Sequence, residues 1–138
     1  MTKAFLTLPL LALAAAGLAL PGPASARPTP EQQLAKALEG RVAGKPVDCI
    51  DPRVNSSTQV IDHTAIIYGS GRTIYLQQPR DARALNSDDI LVTTLTGSNQ
   101  LCSIDVVHLH DRTMGFNRGF VMLEKFVPYT RERVAARD

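Results

Sequence analysis

The apolar positions of this chain form three successive patterns, and the first is a continuous run over residues 5–20. The run follows one positive charge at Lys3, is ended by a Pro-Gly pair, and gives way to small residues at 24–26. This order of charged, apolar and small residues is typical of a secretory signal peptide. The sequence therefore predicts a leader over residues 1–26, with cleavage after Ala26 and a mature chain that begins at Arg27.

A retained membrane anchor is the alternative for this leader. The apolar run is shorter than the ~20 residues that a spanning helix needs, and Pro9 interrupts it. No cysteine stands at the cleavage site and no Arg-Arg pair precedes the run, which favours general export over lipid attachment or the twin-arginine route. We expect a periplasmic or secreted protein with no stable membrane span after cleavage.

The second pattern has helical spacing. Thr29 and Gln32 have the spacing of a capping box, and proline occupies the first helical position between them. Apolar residues recur at helical intervals until Gly40. One short amphipathic helix and a linker are therefore predicted within residues 27–46.

The third pattern consists of short β-branched runs that are separated by turn residues. Residues 69–71 and 97–99 predict tight hairpins, and residues 79–89 form the longest loop. The series predicts a β domain over residues 47–130 and a polar tail over 131–138. The predicted strands are Val47–Ile50, Thr58–Asp62, Thr64–Tyr68, Arg72–Gln77, Ile90–Thr96, Gln100–Leu109 and Phe120–Val127.

Strands joined by local turns predict a mainly β fold, an antiparallel meander closed as a small barrel or a sandwich, with one N-terminal α-helix packed on it. Strand parity in the run 100–109 places Cys102, Ile104 and Val106 on one face. That face is expected to be the core side, and it would carry any disulfide into the core.

Only two cysteines are present, Cys49 and Cys102. In an oxidising compartment the simplest interpretation is one structural disulfide. A reactive thiol is the alternative, but Asp48 precedes Cys49 and a neighbouring carboxylate disfavours the thiolate. No Cys-x-x-Cys motif occurs either, so a structural role is expected.

Net charge excludes one class of partner. One of the fifteen basic residues lies in the leader, which leaves fourteen basic against thirteen acidic residues in the mature chain. The chain also lacks a phosphate-binding loop and an aromatic platform for bases. No nucleic-acid partner is expected, and the arginines of the polar tail are interpreted as a solvated end.

Two histidines give the only metal-binding candidate. His108 and His110 are two apart, so in a strand both side chains leave the same face about 6.6 Å apart along it, a spacing that suits chelation of copper or zinc. A third ligand has to come from elsewhere, and His63 is the only other histidine. The alternative is a rim histidine followed by a polar turn. We favour the alternative and expect neither a bound metal nor another cofactor.

Catalytic constellations are not found in the sequence. Cys102 and His108 are separated by about 20 Å along an extended strand, too far for a nucleophile and its base. No Gly-x-Ser-x-Gly elbow is present. Asp88 and the adjacent Asp89 are interpreted as a solvated loop end. Tyr68 and the tyrosine at 75 are interpreted as a cross-strand pair rather than an exposed ligand face. We expect a protein that is not an enzyme.

Several short segments resemble a family of small, uncharacterised secreted proteins of Gram-negative bacteria. The segments are Cys49-Ile50, the Ile61-Asp62 to Tyr75-Leu76 hairpin, Leu101-Cys102-Ser103-Ile104-Asp105 and Lys125-Phe126-Val127-Pro128-Tyr129. Members of that family carry a second cysteine pair, near the equivalents of Leu85 and the terminal Phe-x-Pro, which this chain lacks. The resemblance implies that Cys49 and Cys102 pair with each other. It implies no activity, because the family is a domain of unknown function.

The sequence therefore leaves two functions to compare. The first is a non-catalytic, disulfide-stabilised β module that binds a protein partner or an envelope component. The second is a periplasmic small-ligand or metal-binding protein that uses His108 and His110. Neither the partner nor the oligomeric state follows from the sequence.

Overall fold

The structure is a computed structural model that describes residues 26–95 and 98–132. The predicted leader lies outside the described residues except for Ala26, which is exposed like Arg27. Residues 133–138 of the predicted polar tail also lie outside them. Within the described ranges, no helix is both long enough and apolar enough to cross a membrane.

One α-helix, α1, spans Pro30–Leu38 as its capping signals predict. The Thr29 N–H donates to Gln32 Oε1 at 2.9 Å, and the Gln32 N–H donates back to Thr29 Oγ1 at 3.3 Å. The capping box therefore satisfies backbone donors that the first turn leaves unpaired.

Ten strands make up the rest of the regular structure in the described ranges, and all their pairings are antiparallel. A five-stranded sheet has the order β1-β10-β5-β4-β3, a three-stranded sheet the order β6-β8-β9, and β2 pairs with β7 in a short ribbon. The strands are β1 Arg41–Ala43, β2 Cys49–Ile50, β3 Thr58–Ile61, β4 Ala65–Tyr68, β5 Thr73–Gln77, β6 Asp89–Thr93, β7 Leu101–Cys102, β8 Val106–Asp111, β9 Asn117–Met122 and β10 Val127–Arg131.

These elements confirm the prediction of a mainly β, antiparallel fold with one N-terminal helix. Within the two described ranges, no strand pairing joins the edges of the sheets into a closed barrel. A 3₁₀ turn at Ala82–Ala84 lies in the predicted long loop. Strand β1 lies in the stretch predicted as a linker, and Arg131 of the predicted polar tail is the last residue of β10.

The five-stranded sheet is covered on both faces. One face packs against Leu34 and its neighbours on α1 and carries Ile67 and Ile74. The opposite face carries Ile66, which packs in the main core with Val107 of β8 and with residues of β2, β7 and β9. All four residues of β4 are therefore buried, as expected of a strand with apolar layers on both sides.

The predicted strand Gln100–Leu109 is wrong, because a turn divides it into β7 and β8. The Cys102 N–H donates to Asp105 Oδ2 at 2.7 Å, and the Asp105 N–H donates to Cys102 O at 3.0 Å. Such side-chain bonds to the backbone compete with strand continuation. Ile104 is 88% exposed as a result. The parity prediction also fails, since Leu101 is buried and Cys102 only partly buried.

The pairing of β6 and the bounds of β9 and β10 also differ from the predictions. β6 pairs with β8 rather than with the segment at Gln100, and residues 96–97 of the predicted strand and hairpin turn lie outside the described residues. The predicted strand Phe120–Val127 is also divided, because β9 ends at Met122 and the chain crosses to the other sheet before β10 begins. β10 continues through Pro128, whose carbonyl accepts a bond from the Gly44 N–H at 2.7 Å.

A buried glutamine holds the crossover between the two larger sheets. Gln77 has 0% exposure, and its Nε2 donates to Glu124 O at 2.6 Å while its Oε1 accepts from the Glu124 N–H at 3.0 Å. One side chain thus satisfies both backbone groups of a residue that lies outside any strand.

We expect Gln77→Leu to lower the free energy of unfolding by roughly 2 to 4 kcal/mol, because it leaves two backbone groups without partners in a buried place. Urea unfolding followed by circular dichroism measures the loss. Gln78→Leu is the matched control, since Gln78 is exposed and should change the stability by less than about 0.5 kcal/mol. Equal losses in the two variants would contradict the assigned role of Gln77.

The predicted disulfide is present. Cys49 and Cys102 are directly opposite partners in the β2–β7 ribbon, and their sulfurs are bonded across 53 residues of sequence separation. No free cysteine remains in the described residues. The bond joins β2 to β7, whose other residues, Ile50 and Leu101, belong to the main core.

Replacing both cysteines with serine should destabilise the protein by on the order of 4 kcal/mol, since the cross-link restricts a long loop in the unfolded chain. The loss appears as a lower melting temperature, and reduced wild-type protein should show a similar one. The structural role would be refuted by two rapidly reacting thiols in the native protein.

Candidate functional site

His108 and His110 lie on the face of the three-stranded sheet that is opposite the main core, because β8 buries its odd-numbered Val107 and Leu109. Both imidazoles therefore share one face, as the spacing predicts. Cross-strand register places His108 between Val92 of β6 and Phe120 of β9.

The local contacts of these histidines do not add a third ligand. The His108 ring meets Phe120 edge-on with 6.2 Å between centroids, and its Nδ1 lies 3.5 Å from Asn117 Nδ2. His110 Nδ1 lies 3.3 Å from Gly115 O. In the part of the chain that the structure describes, no three histidine, cysteine, aspartate or glutamate residues form a group that could hold a metal ion.

The third histidine lies in a different place. His63 sits in the turn between β3 and β4, where its N–H donates to Leu85 O at 3.0 Å and its Nδ1 lies 2.6 Å from Arg83 O. Its backbone has a φ of 55°, which is uncommon for a residue with a side chain. His63 thus anchors a turn to the 3₁₀ segment and does not join His108 and His110.

We expect zinc or copper to leave the melting temperature of the folded protein unchanged, because two same-face imidazoles without a third ligand give little affinity. Thermal unfolding with and without each metal, in wild type and in His110→Ala, makes the measurement. A metal-dependent rise that His110→Ala abolishes would contradict this expectation, because a ligand that binds only the folded state must stabilise it.

Apolar side chains surround the two histidines. Ile90 is 43% exposed, Val92 42%, Phe120 52% and Met122 45%. They follow the same parity as the histidines in register, so they form one continuous surface. We call it the outer apolar face, and it comprises Ile90, Val92, Val106, His108, His110, Phe120 and Met122. None of these side chains carries a permanent charge.

The sequence itself indicates this face, in two runs of consecutive apolar residues. Residues 90–92 and 120–122 are each three consecutive apolar residues, so each strand has apolar side chains on both faces. Leu91 and Val121 take the core side. The residues on either side of them must then face outward.

The adjacent carboxylates form no acid–base pair. Asp88 is exposed, whereas Asp89 is 3% exposed and accepts a 2.8 Å bond from Arg118 Nη1. This ion pair connects β6 to β9 across β8. Asp89 is therefore part of the sheet rather than of a solvated loop end.

The two tyrosines lie directly opposite each other on β4 and β5. Tyr68 is buried and packs edge-on against Phe126, with ring centroids 5.8 Å apart. Burial raises the pKa of its hydroxyl far above the usual value. Tyr68 therefore belongs to the main core and does not form a ligand face with Tyr75.

A comparison of the chain with models of known families, with curated proteins and with solved structures finds no match.

Proposed function

We propose that the mature chain is a non-catalytic periplasmic module, built as an open β-sandwich, that binds an extended apolar segment of a protein partner on the outer apolar face. We also propose that the predicted leader exports the protein and that the protein is a member of the secreted family that it resembles. The carrying observation is the continuous set of exposed apolar side chains around His108.

Burial energetics favour a partner at this face. The largest contiguous apolar patch on a soluble protein measures about 300 to 600 Å² and often marks a functional site. Complete burial of an exposed valine or phenylalanine side chain contributes about 1.5 to 3 kcal/mol, so covering one that is already half-buried contributes about half as much. Four half-exposed apolar side chains lie together here, and the only polar members of the face are imidazoles, of which His108 packs edge-on against Phe120.

The size of the face favours a short segment over a second copy of this chain. Three strands about 4.8 Å apart, with five residues of about 3.3 Å each, give an area on the order of 250 Å². A stable interface between folded proteins buries about 800 Å² on each side. An extended segment compensates by adding main-chain hydrogen bonds, and β9 pairs only with β8 among the described strands.

The test places a photo-reactive phenylalanine analogue at position 120 of the exported protein. Irradiation should give a discrete adduct with another protein, and sequencing of the cross-linked peptide should identify an extended apolar segment. The matched control position is Ile104, which is 88% exposed but lies in the turn before β8. The intact mass of the purified protein should match a chain that begins at Arg27.

Val92→Ser in the same probe-bearing chain should lower adduct yield about tenfold, because it removes one buried apolar contact. Val54→Ser is its control, since Val54 is 79% exposed and remote from the face in the β2–β3 loop. An adduct of twice the mass of the chain, an equal yield at Ile104, or no effect of Val92→Ser would each overturn the proposal.

A further inference from the structure

A second surface lies on the other side of the molecule, where α1 covers the five-stranded sheet incompletely. The cleft there has a volume of about 500 Å³, within the roughly 300 to 1,000 Å³ range of small-molecule sites. Its floor includes Ile67 and Ile74, which are buried, and the exposed hydroxyl side chains of Ser57 and Ser70 stand at its side.

Three cations line this cleft, and none of its described lining residues is acidic. Lys36 comes from α1, Arg41 from β1 and Arg131 from β10. The four ion pairs among the described residues use other cations, namely Arg53, Arg80, Arg118 and Lys125. None of the three cations of the cleft is therefore in an ion pair within the part of the chain that the structure describes.

Two of these cations are forced together by the sheet. Arg41 and Arg131 are directly opposite partners in the β1–β10 pairing, and like charges at such positions are destabilising. Burial, and then the charge of Arg131, lower the pKa of the Arg41 guanidinium. An anion in the cleft would remove this repulsion.

The guanidinium of Arg41 is held in place by backbone. Its Nη1 donates to Arg72 O at 2.6 Å and its Nη2 to Gly71 O at 3.1 Å. Its Nε is buried and has no hydrogen-bond partner among the described residues. A buried donor without a partner destabilises the folded protein, so Arg41 is both preorganised and incompletely satisfied.

We propose that this cleft binds a phosphate monoester with an apolar body. Three cations without an ion-pair partner among the described residues match the −1.5 to −2 charge that a phosphate monoester carries at about neutral pH better than the single charge of a carboxylate. The apolar floor matches an organic substituent. The site is separate from the outer apolar face, so it stands independently of the function proposed above.

The phosphate monoester has two possible sources, a soluble metabolite and a lipid headgroup. The shared chemistry is the terminal phosphate, and the length of the apolar body distinguishes the sources. The experiment therefore needs one soluble probe and one membrane probe.

The soluble probe is phenyl phosphate, titrated calorimetrically into the full mature protein. Benzoate keeps the ring with a single negative charge, and phenol keeps it with none. Phenyl phosphate should therefore bind at least about tenfold more tightly than benzoate, whereas phenol should not bind. A Lys36→Gln/Arg131→Gln double variant should weaken phenyl phosphate binding by at least about tenfold. A Lys45→Gln/Arg83→Gln double variant is the charge-matched control and should bind like wild type, because both residues are exposed and outside the cleft.

Stability of the free protein separates binding from a structural role. Arg131→Gln removes the like-charge pair, so without ligand its melting temperature should equal or exceed that of wild type. A lower melting temperature, or unchanged binding of either probe in the double variant, would overturn the proposal.

Phosphatidylcholine vesicles with and without phosphatidic acid form the membrane arm. Binding that requires phosphatidic acid and is lost in the double variant supports the proposal with a lipid source. Binding of phenyl phosphate alone supports it with a soluble source. Binding to neither probe refutes it.

Discussion

The interaction on which this structure most depends is the pair of hydrogen bonds between the buried side chain of Gln77 and the backbone of Glu124. The chain must leave the three-stranded sheet after Met122 and enter the five-stranded sheet at Val127. Its backbone groups have no strand partner on the way, and burial makes an unpaired group costly. Gln77 supplies both a donor and an acceptor from the end of β5, so the crossover is fixed to the sheet that it enters.

The same crossover organises the main core. Phe126 exchanges two backbone hydrogen bonds with Val47 and inserts a fully buried ring against Tyr68. The Leu123 N–H donates to Asp105 O in the turn that follows β7. That turn starts at Cys102, so the disulfide and the crossover restrain neighbouring parts of one structure. A small domain has limited apolar area, and these connections compensate for it.

The five-stranded sheet is covered on both faces, and two different surfaces remain, a cationic cleft and an apolar sheet face. The five-stranded sheet takes α1 on one side and the main core on the other, and the helix leaves the cationic cleft at its margin. Among the described residues, the three-stranded sheet is covered only on its inner side, so its apolar outward residues are exposed. Helix α1 covers part of one sheet and none of the other. Both proposed binding sites therefore lie where the described layers leave a sheet face uncovered.

Several features were decided by local sequence. The capping box of Thr29 and Gln32 sets the start of α1, alternating β-branched runs give the strands, and two cysteines in a chain predicted to be exported predict one disulfide. Tertiary structure decided the rest. Asp105 divides a predicted strand because its carboxylate accepts a hydrogen bond from the Cys102 N–H. Pro128 lies inside β10, where its carbonyl accepts a hydrogen bond from the Gly44 N–H. The opposition of Arg41 and Arg131 depends on pairing across ninety residues of sequence. Local patterns specify which face of a strand is apolar, but only the packing of distant strands decides which apolar face is covered.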